Sequence, residues 1–249
     1  MKIIISPAKK MKVANAPRIL SAPSFKEDAL VMSNFLKTLS VDEIAKSFKI
    51  KGKLLSETME LISNFNIDNP GYPALLTYDG IQYKYLDART LTSGQLDFLN
   101  EKLVILSGLY GVLKPFDAIN FYRLEMQAEF KGKEISSVYN FWANKIHMKV
   151  YQDENVILNL ASLEYSKTLK TYLRDNQKLI DVFFYDLEGG KLVEKGVYAK
   201  MMRGLMVRYI AINMIDDIES LKDFHEFSFK FSKENSTGEK LVYIRQKEI

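Results

Sequence analysis

A chain of 249 residues, 47% hydrophobic and 27% charged, has the composition of a globular protein that buries a sizeable core. It contains no cysteine, which excludes disulfides, thiolate metal ligands, a cysteine nucleophile and thiol-based redox sensing. The net charge of +4, from 35 basic and 31 acidic residues, is compatible with phosphate or nucleic-acid partners without requiring them.

The apolar runs Met1–Ile5 and Leu103–Leu106 are too short to cross a bilayer. Lys9, Lys10 and Lys12 follow the first run too closely for a signal peptide, so a cytoplasmic protein without membrane association is expected. His147 and His225 are far apart and stand in no metal-binding spacing, so neither a metal site nor a cofactor is expected.

Met1–Ile5 is expected to be a strand that stops at Pro7, leaving Ser6 and Lys9 in the loop beyond its C-terminal end. The nearby lysines are either solvated charges or anion ligands. Ser24 to Glu27 has the capping-box pattern, followed by Phe25, Ala29, Met32, Leu36 and Leu39 at helical spacing. A second box at Ser40 to Glu43 begins another helix, and Leu55, Met59, Ile62 and Phe65 mark a third. The aromatic-rich stretch from Ala74 to Leu86, interrupted by Asp79 and Gly80, does not choose between helix and strand. Thr92 or Ser93 caps a helix that leads into a buried strand, Leu103–Ser107.

The stretch from Val104 to Met126 is the leading candidate for a functional loop. An apolar run breaks at Gly108, Gly111 and Pro115, then gives way to Lys114, Asp117, Tyr122, Arg123 and Glu125. Val138–Val150 is expected to be one helix, with Trp142, Ile146 and Val150 on one face. Val156–Leu160 is another buried strand, ending in Ser162, Glu164, Tyr165 and Lys167. Leu179–Tyr185 is paired by a strand near Leu192–Tyr198 through a Gly189-Gly190 turn. A helix from Ala199 to about Ile215 puts Lys200 and Arg203 on one face of its first turns, which reads either as an anion site or as a solvated basic face. Phe227, Phe229 and Phe231 alternate with polar residues as a strand, and Leu241–Arg245 completes a hairpin. The pattern is that of an α/β protein, residues 1–249 forming a single domain with a mixed twisted sheet flanked by helices and a C-terminal β-hairpin.

Three apolar runs thus end in small or polar residues, and ligands of open α/β sheets bind outside the carboxyl ends of strands. If those three strands are neighbours, Lys9, Lys114, Arg123, Glu125, Glu164, Tyr165 and Lys167 converge, with Lys200 and Arg203 as a further wall. The segment near 94–117, with Gly108, Tyr110, Gly111 and Lys114, also loosely resembles the hairpin of a helix-hairpin-helix motif, although a strand leads into it.

The motifs themselves carry a wider resemblance. Ile5 to Lys9, Leu106 to Asp117, Tyr122 to Met126, Asn159 to Ser162 with Glu164, Tyr165 and Lys167, and Ala199-Lys200 with Arg203-Gly204 are similar to the peroxide stress protein YaaA family. The order and spacing match from residue 3 to the final hairpin. Phe121, Tyr85 and Met202 replace the proline, glycine and small residue usual in that family. The resemblance implies a cytoplasmic protein that limits peroxide damage by keeping unincorporated iron low. It does not imply a mechanism.

Two mechanisms from different classes follow. In the first, Lys9, Lys114, Lys167, Lys200, Arg203 and Arg208 form a basic cleft for nucleic acid, DNA in particular, with Tyr110, Tyr122 and Tyr165 as stacking platforms. In the second, an enzyme acts on a phosphorylated or nucleoside-like small molecule, with Arg123 clamping an anion and Glu125, Glu164 or Tyr165 as candidate catalytic groups. Arg123 and Glu125 are alternatively a structural ion pair.

Overall fold

The structure, a computed structural model, describes residues 1–15 and 21–246. Strand β1 (Lys2–Ile5) is followed by the short β2 (Lys10–Met11) and by helices α1 (Lys26–Lys37), α2 (Val41–Phe48) and α3 (Lys53–Asn64). After β3 (Tyr72–Pro73), the stretch from Ala74 to Leu86, whose pattern does not choose, alternates between both states: α4 (Ala74–Thr77), β4 (Tyr78–Asp79) and α5 (Ile81–Leu86). Next come α6 (Ser93–Lys102), β5 (Leu103–Ser107), β6 (Gly111–Leu113) and β7 (Ala118–Ile119). Helices α7 (Val138–Trp142) and α8 (Lys145–Val150) precede β8 (Val156–Leu160), α9 (Leu163–Lys170) and β9 (Lys178–Glu188). The last elements are β10 (Lys191–Val193), α10 (Gly196–Asn213), β11 (Phe229–Phe231) and β12 (Lys240–Gln246).

Eight strands form one mixed sheet in the order β11-β12-β9-β8-β1-β5-β6, with β10 added alongside β9. Strands β12, β9, β8, β1 and β5 are mutually parallel, whereas β6, β10 and β11 are antiparallel to their neighbours. Ile3, Ile4 and Ile5 are fully buried, as expected for a central parallel strand covered on both faces. Each contributes about 1.5–3 kcal/mol of burial. In register, Ile5 of β1 lies between Leu160 of β8 and Ile105 of β5. The three strands expected to deliver the site are therefore adjacent; β1 and β8 end level, and β5 runs two residues further, to Ser107. None of the helices among the described residues is long and apolar enough to cross a membrane.

Local sequence signals account for several helix starts. Ser40 and Glu43 form the reciprocal capping box of α2, and Thr92 and Gln95 form that of α6. The box at Ser24 does not form. Helix α1 starts after Phe25 without a side-chain cap, and the Phe25 ring instead packs against Trp142 at 5.3 Å between centroids. The single helix expected over 138–150 is two helices, broken at Ala143 with φ 43°. Above the break, the Trp142 indole N–H donates to the Gly108 carbonyl at 2.8 Å, holding α7 against the β5–β6 turn. β10 ends at Val193 rather than near Tyr198. Phe227 is not part of a strand: its φ of 50° places it in the turn before β11, with its side chain exposed.

The segment over 94–117 is strand-turn-strand on its C-terminal side, not the hairpin between two helices. Its glycines serve packing. A Cβ on Gly108 would lie 2.5 Å from the Leu124 carbonyl oxygen, and one on Gly111, at φ +66°, would lie 2.8 Å from Trp142.

Candidate functional site

A cleft of about 510 Å³ opens at the carboxyl ends of β1 and β8. Its walls combine the loop after β1 (Ser6 to Lys10), the start of α5 (Gln82, Tyr83), the segment Tyr122 to Glu125, the start of α9 (Ser162, Glu164, Tyr165) and α10 (Lys200, Arg203). Hydroxyl bridges tie these elements together. Ser6 Oγ accepts from the Ser162 backbone N–H at 2.8 Å and lies 3.2 Å from Ser162 Oγ, which leaves α9 without a side-chain cap. The Tyr83 hydroxyl donates to the Ser6 carbonyl at 2.9 Å, and Gln82 Nε2 donates to the Leu160 carbonyl at 3.3 Å.

Beneath this lies a buried hydroxyl chain. Tyr122 OH is 2.6 Å from Ser107 Oγ and 2.7 Å from Tyr78 OH, and Ser107 Oγ also accepts from the Tyr110 amide at 3.0 Å. Burial pushes the Tyr122 phenol up to about 12, even though Ser107 and Tyr78 lower it. Tyr78, Tyr83 and Tyr165 are raised further by burial and stay neutral.

The charged side chains are arranged over this floor. Glu125 accepts from Lys9 Nζ at 3.0 Å and from Arg123 Nη2 at 3.1 Å. Glu164 lies nearby: the Gln127 backbone N–H donates to its Oε1 at 3.4 Å, and Gln127 Nε2 donates to Glu125 Oε2 at 3.4 Å. Burial, reinforced by the charge of Glu125, raises the Glu164 carboxyl above its ordinary range, despite the opposing Gln127 amide and Lys9. Arg203 is 15% exposed and reaches Glu194 at 3.4 Å. Burial lowers its guanidinium from its ordinary value, with Glu194 and Asp181 opposing. In both Arg123 and Arg203 the Nε–H is buried without a hydrogen-bond partner. Leaving such a donor unsatisfied costs about 1–3 kcal/mol.

The expected residues therefore divide. Lys9, Tyr122, Arg123, Glu125, Glu164, Tyr165, Lys200 and Arg203 meet in the cleft. Lys114 does not line it, because β6 runs antiparallel to β5 and carries the chain back towards the N-terminal ends of the parallel strands. Gly108, Tyr110 and Gly111 are buried in the core, where Tyr110 OH accepts from the Asn120 amide. Lys167 lies over the Tyr139 ring at 5.0 Å. Arg208 Nη1 donates to the carbonyls of Leu86 and Asp87, tying off the end of α5. Gln82 and Gln127 were not expected at the site. Neither has a charge or a local pattern to signal it; their roles come from tertiary placement.

Among the described residues no group of three or more His, Asp or Glu is placed to hold a metal ion.

Comparison with known proteins came to one family. A family model described as peroxide stress protein YaaA matches residues 1–235. A UPF0246 protein of Lactobacillus helveticus is 38% identical over 244 residues, covering 98% of this chain and 96% of the relative. Its counterpart in Lachnoclostridium phytofermentans is 39% identical over 246 residues, with the same coverage. One from Clostridioides difficile is 36% identical over 247 residues, covering 99% of this chain and the whole of the relative.

Proposed function

The chain belongs to the peroxide stress protein YaaA family, and from the geometry of its cleft we propose that it works by binding a nucleotide unit there. In this reading the phosphate rests on the Arg123 and Arg203 side and the base lies against Tyr83 and Tyr165. The observation that carries it is the pair of guanidinium side chains, Arg123 and Arg203, that line one cleft and each hold a buried Nε–H without a partner. A volume of about 510 Å³ fits a single nucleotide and falls within the range of small-molecule sites. Apolar and aromatic walls with a few convergent charges suit a ligand that is part ring and part anion.

Nucleic acid, DNA in particular, is the second reading. It is favoured by the exposed Lys9, Lys10 and Lys200 at the cleft, where a strand could present one nucleotide to the same floor.

Isothermal titration with nucleoside 5′-monophosphates, a single-stranded oligonucleotide and a duplex tests both. Saturable monophosphate binding that is lost in Arg203→Met supports the first reading. Binding of the oligonucleotide alone, weakening steeply with salt, supports the second. Binding of none of these probes would refute the cleft as a nucleotide site.

A further inference from the structure

We infer that the cleft hydrolyses the N-glycosidic bond of the nucleotide it holds, with Glu164 protonating the departing base and Glu125 taking the proton of the attacking water. The inference rests on the nucleotide reading above and extends it to a reaction.

Two carboxylates enter one cleft from separate elements. Glu164 is the second residue of α9, and Glu125 belongs to the segment after β7. Gln127 bonds both and so fixes them relative to each other. Their surroundings differ. Glu125 has Lys9 and Arg123 at ion-pair distance, whereas no cation among the described residues lies within 4.0 Å of Glu164. Burial and the neighbouring Glu125 favour the protonated form of Glu164. Two carboxyl groups in one cleft, one ion-paired to two cations and the other half-buried with no cation beside it, are the equipment of an acid–base pair.

The position of the anion selects the bond. Were the phosphate itself the reacting group, Glu164, with no cation beside it, would have to stand against the phosphate charge; only Glu125, already offset by Lys9 and Arg123, can lie next to it. Glycosidic cleavage separates the two needs. The phosphate serves as an anchor, and the carboxylates act at the sugar, where positive charge develops in an oxocarbenium-like transition state. The C1′–N bond breaks with its electron pair leaving on the base nitrogen, which takes the Glu164 proton. A water oxygen bonds to C1′ and gives its proton to Glu125. Proton exchange with solvent restores both carboxyl groups, so nucleotide and water yield free base and sugar phosphate.

The test incubates the full chain with each of the ribo- and deoxyribonucleoside 5′-monophosphates and separates the products by chromatography. Release of one base and an equal amount of sugar phosphate is expected. Glu164→Gln and Glu125→Gln should each slow it at least 100-fold, while Glu164→Gln leaves titrated nucleotide affinity within threefold. Release that persists in both variants would overturn the inference, as would nucleotide binding without release from any of the eight substrates. Absence of nucleotide binding would remove the underlying reading as well, so the two failures are distinguishable.

Discussion

Replacing Gly204 by alanine tests the helix contact that sets the width of the cleft. Gly204 follows Arg203 on α10 and faces α5, which carries Gln82 and Tyr83 to the other side of the site. An added Cβ would stand 2.2 Å from the Gln82 carbonyl oxygen, 3.0 Å from the Leu86 nitrogen and 3.1 Å from the Gln82 carbonyl carbon. All three are backbone atoms, so no rotamer change relieves the clash. Helix α5 would have to recede by about 0.8 Å before the first contact reached even 3.0 Å. Alanine is worth about 1 kcal/mol over glycine inside a helix, and overpacking of this severity costs about 3 kcal/mol. The net loss is about 2 kcal/mol, or roughly 4–8 °C in melting temperature for a chain of this size. Gly94, early in α6, is the control: its Cβ would meet only the flexible end of Met214 at 3.8 Å, so Gly94→Ala should be neutral or mildly stabilising. Differential scanning calorimetry on both variants decides. A Gly204→Ala protein melting at or above the parent temperature would show that the α5–α10 spacing does not constrain the site.

Glu164→Gln should raise the melting temperature at pH 8 and lose that advantage by about pH 4. The folded carboxyl is raised above its unfolded value, so its contribution to stability is full at low pH and falls as pH rises through the folded pKa. Equal melting shifts at both pH values would contradict this. Tyr122→Phe removes a hydroxyl bonded to both Ser107 and Tyr78 and strands the buried Tyr78 hydroxyl, while Ser107 keeps the Tyr110 amide. Chemical denaturation should show a loss of about 2 kcal/mol. Lys114→Ala should leave nucleotide or phosphate affinity unchanged, whereas Lys200→Ala should weaken it about fivefold in the same titration.

The site was legible in the sequence where short-range chemistry determines long-range placement. Apolar runs ending in Ser6, Ser107 and Ser162 identify strands that reach a common edge, because buried parallel strands carry little but aliphatic side chains. Lys9, Arg123, Glu125 and Glu164 follow from that edge. Lys114 was misplaced for a reason of direction: a strand pattern does not state whether the next strand runs parallel or antiparallel, and β6 reverses. Arg208 was indistinguishable from Arg203 by spacing and charge, yet a difference of five residues on α10 turns it towards the end of α5. The break at Ala143 left no mark in the apolar periodicity, since it arises from a tertiary demand: Trp142 must reach the Gly108 carbonyl. Gln82 and Gln127 are uncharged connectors whose importance exists only once the elements around them are assembled.

The central position of β1 also governs when the protein can become functional during its own synthesis. Strand β1 is flanked by β5 on one side and β8 on the other, both made after it, and 155 residues separate Ile5 from Leu160. At about 5–20 residues per second, a ribosome needs roughly 8–30 s to supply that second flank. Throughout that interval the three isoleucines of β1 lack part of the cover they have in the finished protein, and such exposed apolar surface is prone to aggregate. Ser6, Glu125 and Glu164 cannot meet before β8 and α9 emerge, so the cleft comes into being late, and its α10 wall later still. A premature stop anywhere before residue 160 therefore leaves a sticky fragment rather than a weakened version of the protein.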